Sequence, residues 1–305
     1  MKQAITAAAM AGYAAAGVVR GSLQVDVGGQ AKTVYVVSGP GDAGHVQMVP
    51  NGFTLRGGGR VYFAEKQGDD FSPDMFWQID LLGKHFSYDI DVSKVDCGCN
   101  AAAYFVNMPA EQRGAWGDYY CDANHGNNQW CPEYDTYEGN KYTFASTPHT
   151  CNSTSQHGCS WCDGGGCQTN AFRVDQRGYC PRGDCKIDTT KKFTISHASG
   201  ASGGTMTSMN DWLHQGDNTF SFDVCGRGDY LAQMGQSLRG TVFAASLWGG
   251  GGVDMRWLDG MTGCQERCDL GAQQVTFSNF RVEPNTAEQP RPSGGLELEG
   301  LSALQ

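Results

Sequence analysis

The chain has 305 residues, 43 of them glycine and 13 cysteine, and a formal net charge of −10. That length suits one large β domain or two ordinary ones, and no break in composition divides it. The acidic balance argues against nucleic acid and anionic membrane as partners, and no apolar run is long enough to span a bilayer.

Met1-Lys2-Gln3 and the Ala-rich stretch to Ala16 read as a secretion leader over residues 1 to 20; a short amphipathic helix or a disordered leader is the alternative. Leu23-Gln24-Val25-Asp26-Val27, the Gly28-Gly29 turn and Thr33-Val34-Tyr35-Val36-Val37 predict a hairpin. Phe53-Thr54-Leu55 and Val61-Tyr62-Phe63 predict short strands around the glycines at 57 to 59. Phe86 to Val92 alternates with one buried face, and Ala101 to Met108 reads as a core strand. Further strands are expected at Phe193 to Ile195, Phe220 to Val224, Thr241 to Leu247 and Val275 to Ser278. Thr207 to His214 reads as a short helix. Many short strands with Gly-rich turns indicate a sandwich or jelly roll. Residues 21 to 286 are read as one such domain, and residues 287 to 305 as a disordered tail.

The cysteines fall between Cys97 and Cys268, eight of them between residues 121 and 190, which read as long cross-linked loops. Such density implies an oxidising compartment and a disulfide framework, with one thiol left over. Cys159-x-x-Cys162 and Cys180-x₄-Cys185 match a zinc knuckle by spacing, but the surrounding cysteines favour disulfides. Asn152-Ser153-Thr154 is a glycosylation sequon of low specificity. Gly57 to Gly59 and Gly249 to Gly252 lack the setting of a phosphate cradle and read as turns.

The most informative run is Glu133-Tyr134-Asp135-Thr136-Tyr137-Glu138-Gly139-Asn140. Its aromatic and β-branched residues favour a strand. Glu133 and Asp135 then share a face, while Glu138 joins them only if a β-bulge adds one residue. Acids aimed into one cleft suit cleavage of a glycosidic bond, which needs a nucleophile and a proton donor. A solvated acidic turn is the bland alternative.

In this run the chain resembles glycoside hydrolase family 7, the cellobiohydrolases and endoglucanases that cut β-1,4-glucan with retention. The signature Glu-x-Asp-x-x-Glu, a small residue and Asn stands here as Glu133, Asp135, Glu138, Gly139 and Asn140. Leu82 to Ser93, Cys97 to Val106, Tyr120-Cys121-Asp122, Thr147-Pro148-His149, Asp188 to Lys192, Ser246-Leu247-Trp248, Trp257-Leu258-Asp259 and Thr276 to Asn279 follow in the family's order. The resemblance covers residues 53 to 285 and implies a two-sheet, concanavalin A-like jelly roll with long disulfide-linked loops. It implies Glu133 as nucleophile, Glu138 as acid/base, Asp135 sharing a proton or hydrogen bond with Glu133, and His149 beside the acid/base. It implies Trp248 and Trp257 as sugar platforms; ordinary core aromatics are the alternative for each. It further implies Asn100, Tyr104, Tyr120, Asp122 and Arg173 as partners of sugar hydroxyls, with Arg267 a looser match. No metal or other cofactor is implied.

The chain departs from the family pattern in places. Tyr137 stands where Trp is usual and Gly139 where Ala is usual. Gly249 to Gly252 replaces an acidic, aromatic loop, the segment between Tyr120 and Glu133 is short, and the first fifty residues do not match. Fewer covering loops imply an open groove and internal cutting. The expectation is a secreted, monomeric endo-acting hydrolase of β-glucan, with no nucleic-acid or membrane partner. A polysaccharide lyase on the same sandwich and an inactive glycan-binding module are the competing readings.

Overall fold

The computed structural model describes residues 18–153, 158–265 and 267–285. The leader, apart from residues 18 to 20, and the tail lie outside the described residues, as does Thr154 of the sequon.

Fifteen strands hydrogen-bond into one sheet that curls back on itself as a sandwich. From the cleft edge the order is Thr169–Asn170, Phe144–His149, Glu133–Gly139, Cys99–Val106, Val242–Gly249, Arg60–Ala64, Gln30–Val37 and Val19–Val27. It continues through Gln274–Pro284, Lys84–Lys94, Phe193–Ser202, Thr205–Gln215 and Asn218–Asp223, while Gly52–Arg56 branches from Gln274–Pro284 and carries Val46–Val49 as the remaining two strands. The pair Val19–Val27 with Gln274–Pro284 is parallel and its neighbours are antiparallel. The predicted hairpin forms, with Gly28 and Gly29 both at positive φ (60° and 83°) as its turn requires.

Side-chain alternation separates a main core from the floor of the cleft. Ala101, Ala103 and Phe105 face the main core, whereas Ala102, Tyr104 and Val106 face away from it. Val61 and Phe63 against Tyr62 and Ala64, and Phe243 and Ala245 against Val242 and Ala244, divide in the same way. Aromatic rings lock the layers together: Phe86 meets Phe105 at 4.8 Å, Phe243 meets Phe280 at 5.4 Å and Phe144 meets Phe222 at 5.6 Å. Each fully buried ring contributes about 1.5–3 kcal/mol by removal of apolar surface from water.

One assignment made from sequence changes, and one helix was not foreseen. Thr205–Gln215 is a strand, so residues 207 to 214 are not helical. Gly200 pairs with Ser208 and Ala201 with Met206, which leaves Thr207 as a bulge residue. The bulge puts Met206 and Met209 on one face three residues apart, a spacing that imitates a helix. A helix instead forms at Gly228–Ser237, where Tyr230, Leu231 and Met234 bury one face with Leu238.

Six disulfides close the loops: Cys97–Cys264, Cys99–Cys268, Cys121–Cys131, Cys151–Cys162, Cys167–Cys225 and Cys180–Cys185. The thiols required by a zinc knuckle at Cys162, Cys180 and Cys185 are therefore consumed. The thirteenth cysteine, Cys159, places its sulfur 3.3 Å from the Ser153 carbonyl.

Candidate active site

The acidic strand Glu133–Gly139 lies between Cys99–Val106 and Phe144–His149. Against the first neighbour, Ala103 faces Tyr137 and Tyr104 faces Asp135. Against the second, Asp135 faces Thr147 and Glu138 faces Ala145. One residue is extra on both sides, and Thr136 anchors it by donating from Oγ1 to the Ala103 carbonyl at 2.7 Å. The bulge turns Glu138 to the face of Glu133 and Asp135, and all three line one cleft of 630 Å³. Gly139 closes this strand where a Cβ would sit 2.5 Å from Cβ of Phe144, which accounts for glycine at this motif position.

Each acid has its own partner. Oε2 of Glu133 accepts from the Ala123 N–H at 3.0 Å; the Cys121–Cys131 disulfide holds that loop against the strand. Oε1 of Glu138 accepts from Asn100 Nδ2 at 2.8 Å. Oδ2 of Asp135 lies 3.0 Å from His149 Nε2, and His149 Nδ1 lies 2.8 Å from the Asp163 carbonyl. Gly166, at φ 60°, lets its loop lie over His149, since a Cβ there would stand 2.8 Å from the ring. The Tyr230 hydroxyl accepts from the Thr150 N–H at 3.2 Å and lies 3.1 Å from the Pro148 carbonyl, bracing both sides of His149.

Burial dominates the electrostatics. It lifts the Glu133 carboxyl well above its usual range, helped by the charges of Asp135 and Asp122 and opposed by His149 and the Ala123 N–H. Burial lifts Asp135 well above its range too, helped by Glu138 and Asp122. Glu138 is raised by burial, against the pull of His149 and Asn100. Three carboxyls in one low-dielectric cleft oppose one another's ionisation, so each favours a proton on its neighbours. Glu133, Asp135 and His149 bring one ligand atom each within 4.8 Å of one another, close enough to bind a divalent ion.

Of the other residues singled out in the sequence, Tyr104, Tyr120, Asp122, Trp248 and Trp257 line the cleft. Trp257 is 37% exposed, while Trp248 packs partly against Ala145, Met255 and Leu258. Asp122 turns Oδ1 to the N–H groups of Asn124 and Gly126 (2.8 and 2.7 Å). Asn100 is buried beside Glu138, to which its Nδ2 donates, and it is not among the residues that line the cleft. Arg173 and Arg267 are not brought into the cleft. Arg173 lines a separate hollow with Met261, and Arg267 lines another beside Gly250 to Gly252.

Sequence reasoning missed Arg60, Asn124, Gln168 and Ser246, which also line the cleft. The Arg60 guanidinium lies 3.8 Å from the ring centroid of Tyr120 and 5.0 Å from that of Trp116, a cation–π arrangement. Its signal was present: Arg60 and Tyr62 alternate with the core residues Val61 and Phe63, so both had to face away from the core.

Comparison with known proteins points the same way. The model of "Glycosyl hydrolase family 7" matches residues 26–126 and 114–225. The "Probable endo-beta-1,4-glucanase celB" of Aspergillus clavatus is 31% identical over 258 residues, covering 66% of this chain and 59% of that protein. The "Endo-beta-1,4-glucanase celB" of Aspergillus oryzae is 30% identical over 261 residues, covering 66% and 60%. The chain thus spans about three-fifths of the length of these relatives. Among solved structures, the Humicola insolens endocellulase EGI superposes with TM-score 0.74 at 21% identity, over 88% of this chain and 98% of that one. A cellobiohydrolase from Daphnia pulex superposes with TM-score 0.69 at 19% identity, over 87% and 96%. These superpositions establish the shared jelly-roll fold.

Proposed function

The chain belongs to glycosyl hydrolase family 7, and from that premise we propose that it cuts β-1,4-glucan internally by a retaining double displacement. The observation that carries this reading is the Thr136 bulge, which turns Glu133, Asp135 and Glu138 into one cleft walled by Trp248 and Trp257.

Glu133 attacks the anomeric carbon and forms the glycosyl-enzyme; Glu138 protonates the departing oxygen and then takes a proton from the incoming water. Burial of Glu138 favours the protonated acid that the first step needs. Glu133 must be ionised to attack, and the Ala123 N–H and His149 both favour that state. Asp135 helps by sharing a proton with His149, which removes its own charge from beside the nucleophile. Asn100 fixes the rotamer of Glu138. An indole face stacks on the apolar face of a pyranose, the role we assign to Trp257 and Trp248.

The same reading makes the protein a secreted monomer. Six disulfides favour an oxidising compartment, and no described helix is long and apolar enough to cross a membrane. Endo action rests on the short sequence between Cys121 and Cys131 and on Gly249 to Gly252, which stand where the family pattern carries longer or bulkier covering loops.

The test is a screen of soluble β-glucans, xylan and uronate polymers, scoring reducing ends and ultraviolet-absorbing unsaturated ends, with proton NMR of the first product. The reading predicts reducing ends of retained β configuration from β-1,4-glucan. Unsaturated ends would instead indicate a lyase, and no product from any polymer would indicate a binding protein.

A further inference from the structure

The helix Gly228–Ser237 supplies no residue to the lining of the cleft, yet one of its side chains holds the backbone around His149. Its apolar face, Tyr230, Leu231 and Met234, joins the main core. It packs on Thr205–Gln215, where a Cβ on Gly235 would stand 2.5 Å from Cβ of Met206. Thr205–Gln215 and Phe144–His149 lie next to opposite ends of the sheet order. The helix therefore ties the strand that ends in His149 to a packed body distant from it along the sheet.

Tyr230 makes the tie at three points. Its hydroxyl accepts from the Thr150 N–H at 3.2 Å, and its single hydrogen faces the Pro148 carbonyl and Asp163 Oδ2, each 3.1 Å away. Pro148 and Thr150 flank His149 in the chain. Asp163 supplies the carbonyl that lies 2.8 Å from His149 Nδ1, and its Oδ1 accepts from the N–H groups of Gly165 and Gly166, both at 3.2 Å. An anchor outside this loop matters because Gly164, Gly165 and Gly166 carry no side chains to fix their own path. The His149 ring must stay within hydrogen-bond reach of Asp135 at one nitrogen and of Asp163 at the other. A displacement of about 1 Å is enough to spoil such an alignment.

We propose that Tyr230 is a positioning residue: through Pro148, Thr150 and Asp163 its hydroxyl fixes the His149 ring, and with it the contact between His149 and Asp135 beside the nucleophile. The proposal rests on the hydrolytic reading above. Tyr230 is 6% exposed and does not line the cleft, so it acts on the reaction only through His149. Gln233, one turn further along the helix, is bonded instead to the Cys151 carbonyl at 2.8 Å, two residues beyond His149. It anchors the same segment without holding the ring's neighbours, which makes it the control.

Tyr230→Phe removes the hydroxyl and keeps the ring, with the Arg227 guanidinium 4.9 Å from its centroid. The experiment compares wild type, Tyr230→Phe, Gln233→Met, Asp163→Ala, His149→Ala and the Tyr230→Phe/His149→Ala double variant. It measures kcat and KM on a soluble cello-oligosaccharide, thermal unfolding, and the ¹⁵N shifts of labelled histidines. Tyr230→Phe should lower kcat about tenfold with KM within about twofold, and Gln233→Met should stay within about twofold of wild type in both. In the His149→Ala background Tyr230→Phe should cost nothing further, because the ring through which it acts is gone. The His149 signal should move in Tyr230→Phe and stay in place in Gln233→Met. Asp163→Ala, which cuts the same contact from the other side, should move that signal too, so the test survives poor folding of either variant. The signal does not depend on turnover: a wild type inactive on every glucan would sink the hydrolytic reading, while the His149 signal would still decide whether Tyr230 holds the ring. Unchanged kcat in Tyr230→Phe of an active enzyme, equal losses with and without His149, or an unmoved His149 signal would each overturn the proposal.

Discussion

His149 touches Asp135 through one ring nitrogen and a backbone carbonyl through the other: Nε2 lies 3.0 Å from Asp135 Oδ2, and Nδ1 lies 2.8 Å from the Asp163 oxygen. A carbonyl only accepts, so Nδ1 carries a hydrogen. The contact at Nε2 then holds one further proton between imidazole and carboxyl. Asp135 is thereby neutralised, or paired with a cation, beside two carboxyls that must be in opposite protonation states.

The rate should therefore show a bell-shaped dependence on pH. Activity is lost as pH falls through the value for Glu133, which must be ionised, and as pH rises through the value for Glu138, which must be protonated. Burial raises both groups. Both limbs of kcat/KM should accordingly lie above the ordinary glutamate value of about 4.3. An acid limb at or below that value would contradict the electrostatic account.

Stability should carry the same signature. Glu133, Asp135 and Glu138 all have carboxyls raised by burial relative to the unfolded chain. A carboxyl raised on folding contributes stability that is present below its unfolded value and lost as pH rises through its folded value. The melting temperature should decline from about pH 5 to about pH 8, and the decline should be shallower in Asp135→Asn. Asp89, half-buried with its carboxyl lowered by Thr194, Asn279 and Lys192, acts in the opposite sense only at lower pH. A wild-type melting temperature that is flat or rising over the stated range would count against raised carboxyls.

Asn100 stabilises the ionised form of Glu138 through its amide. Asn100→Ala removes that donor, so the Glu138 carboxyl should rise further. The alkaline limb should move upward by about half to one pH unit, with kcat about tenfold lower because the acid is no longer held. A limb that stays in place would show that Asn100 serves sugar binding alone.

Glu138→Gln should discriminate among leaving groups. Loss of the proton donor should cost about a hundredfold or more on cello-oligosaccharides and far less on aryl glycosides whose leaving group needs no proton. Equal losses on both substrates would argue against the acid role.

Much of this arrangement was legible because it depends on local alternation. The spacing of Glu133, Asp135 and Glu138 demanded one extra strand residue, and Thr136 supplies it. The hairpin at Gly28-Gly29 and the strand at Cys99–Val106 likewise announce themselves through turn residues and apolar runs. What was obscure depends on irregular spacing or on partners far apart in the chain. The bulge at Thr207 disguised a strand as a helix. The helix Gly228–Ser237 was hidden because Asp229, Gln233 and Gln236 dilute a short apolar face. The bond from the Asn100 amide to Glu138 joins residues 38 apart in the chain and diagonal on neighbouring strands, which no local pattern announces. Arg173 and Arg267 carried no local signal that would have kept them out of the cleft.

The most direct test of the central claim is to trap the covalent intermediate with an activated 2-fluoro-cellobioside and locate the adduct by peptide mass spectrometry. The account predicts one glycosyl group, attached to Glu133 and absent from Glu133→Gln. An adduct on Asp135 or Glu138, or turnover of the reagent with inversion and no adduct, would contradict it.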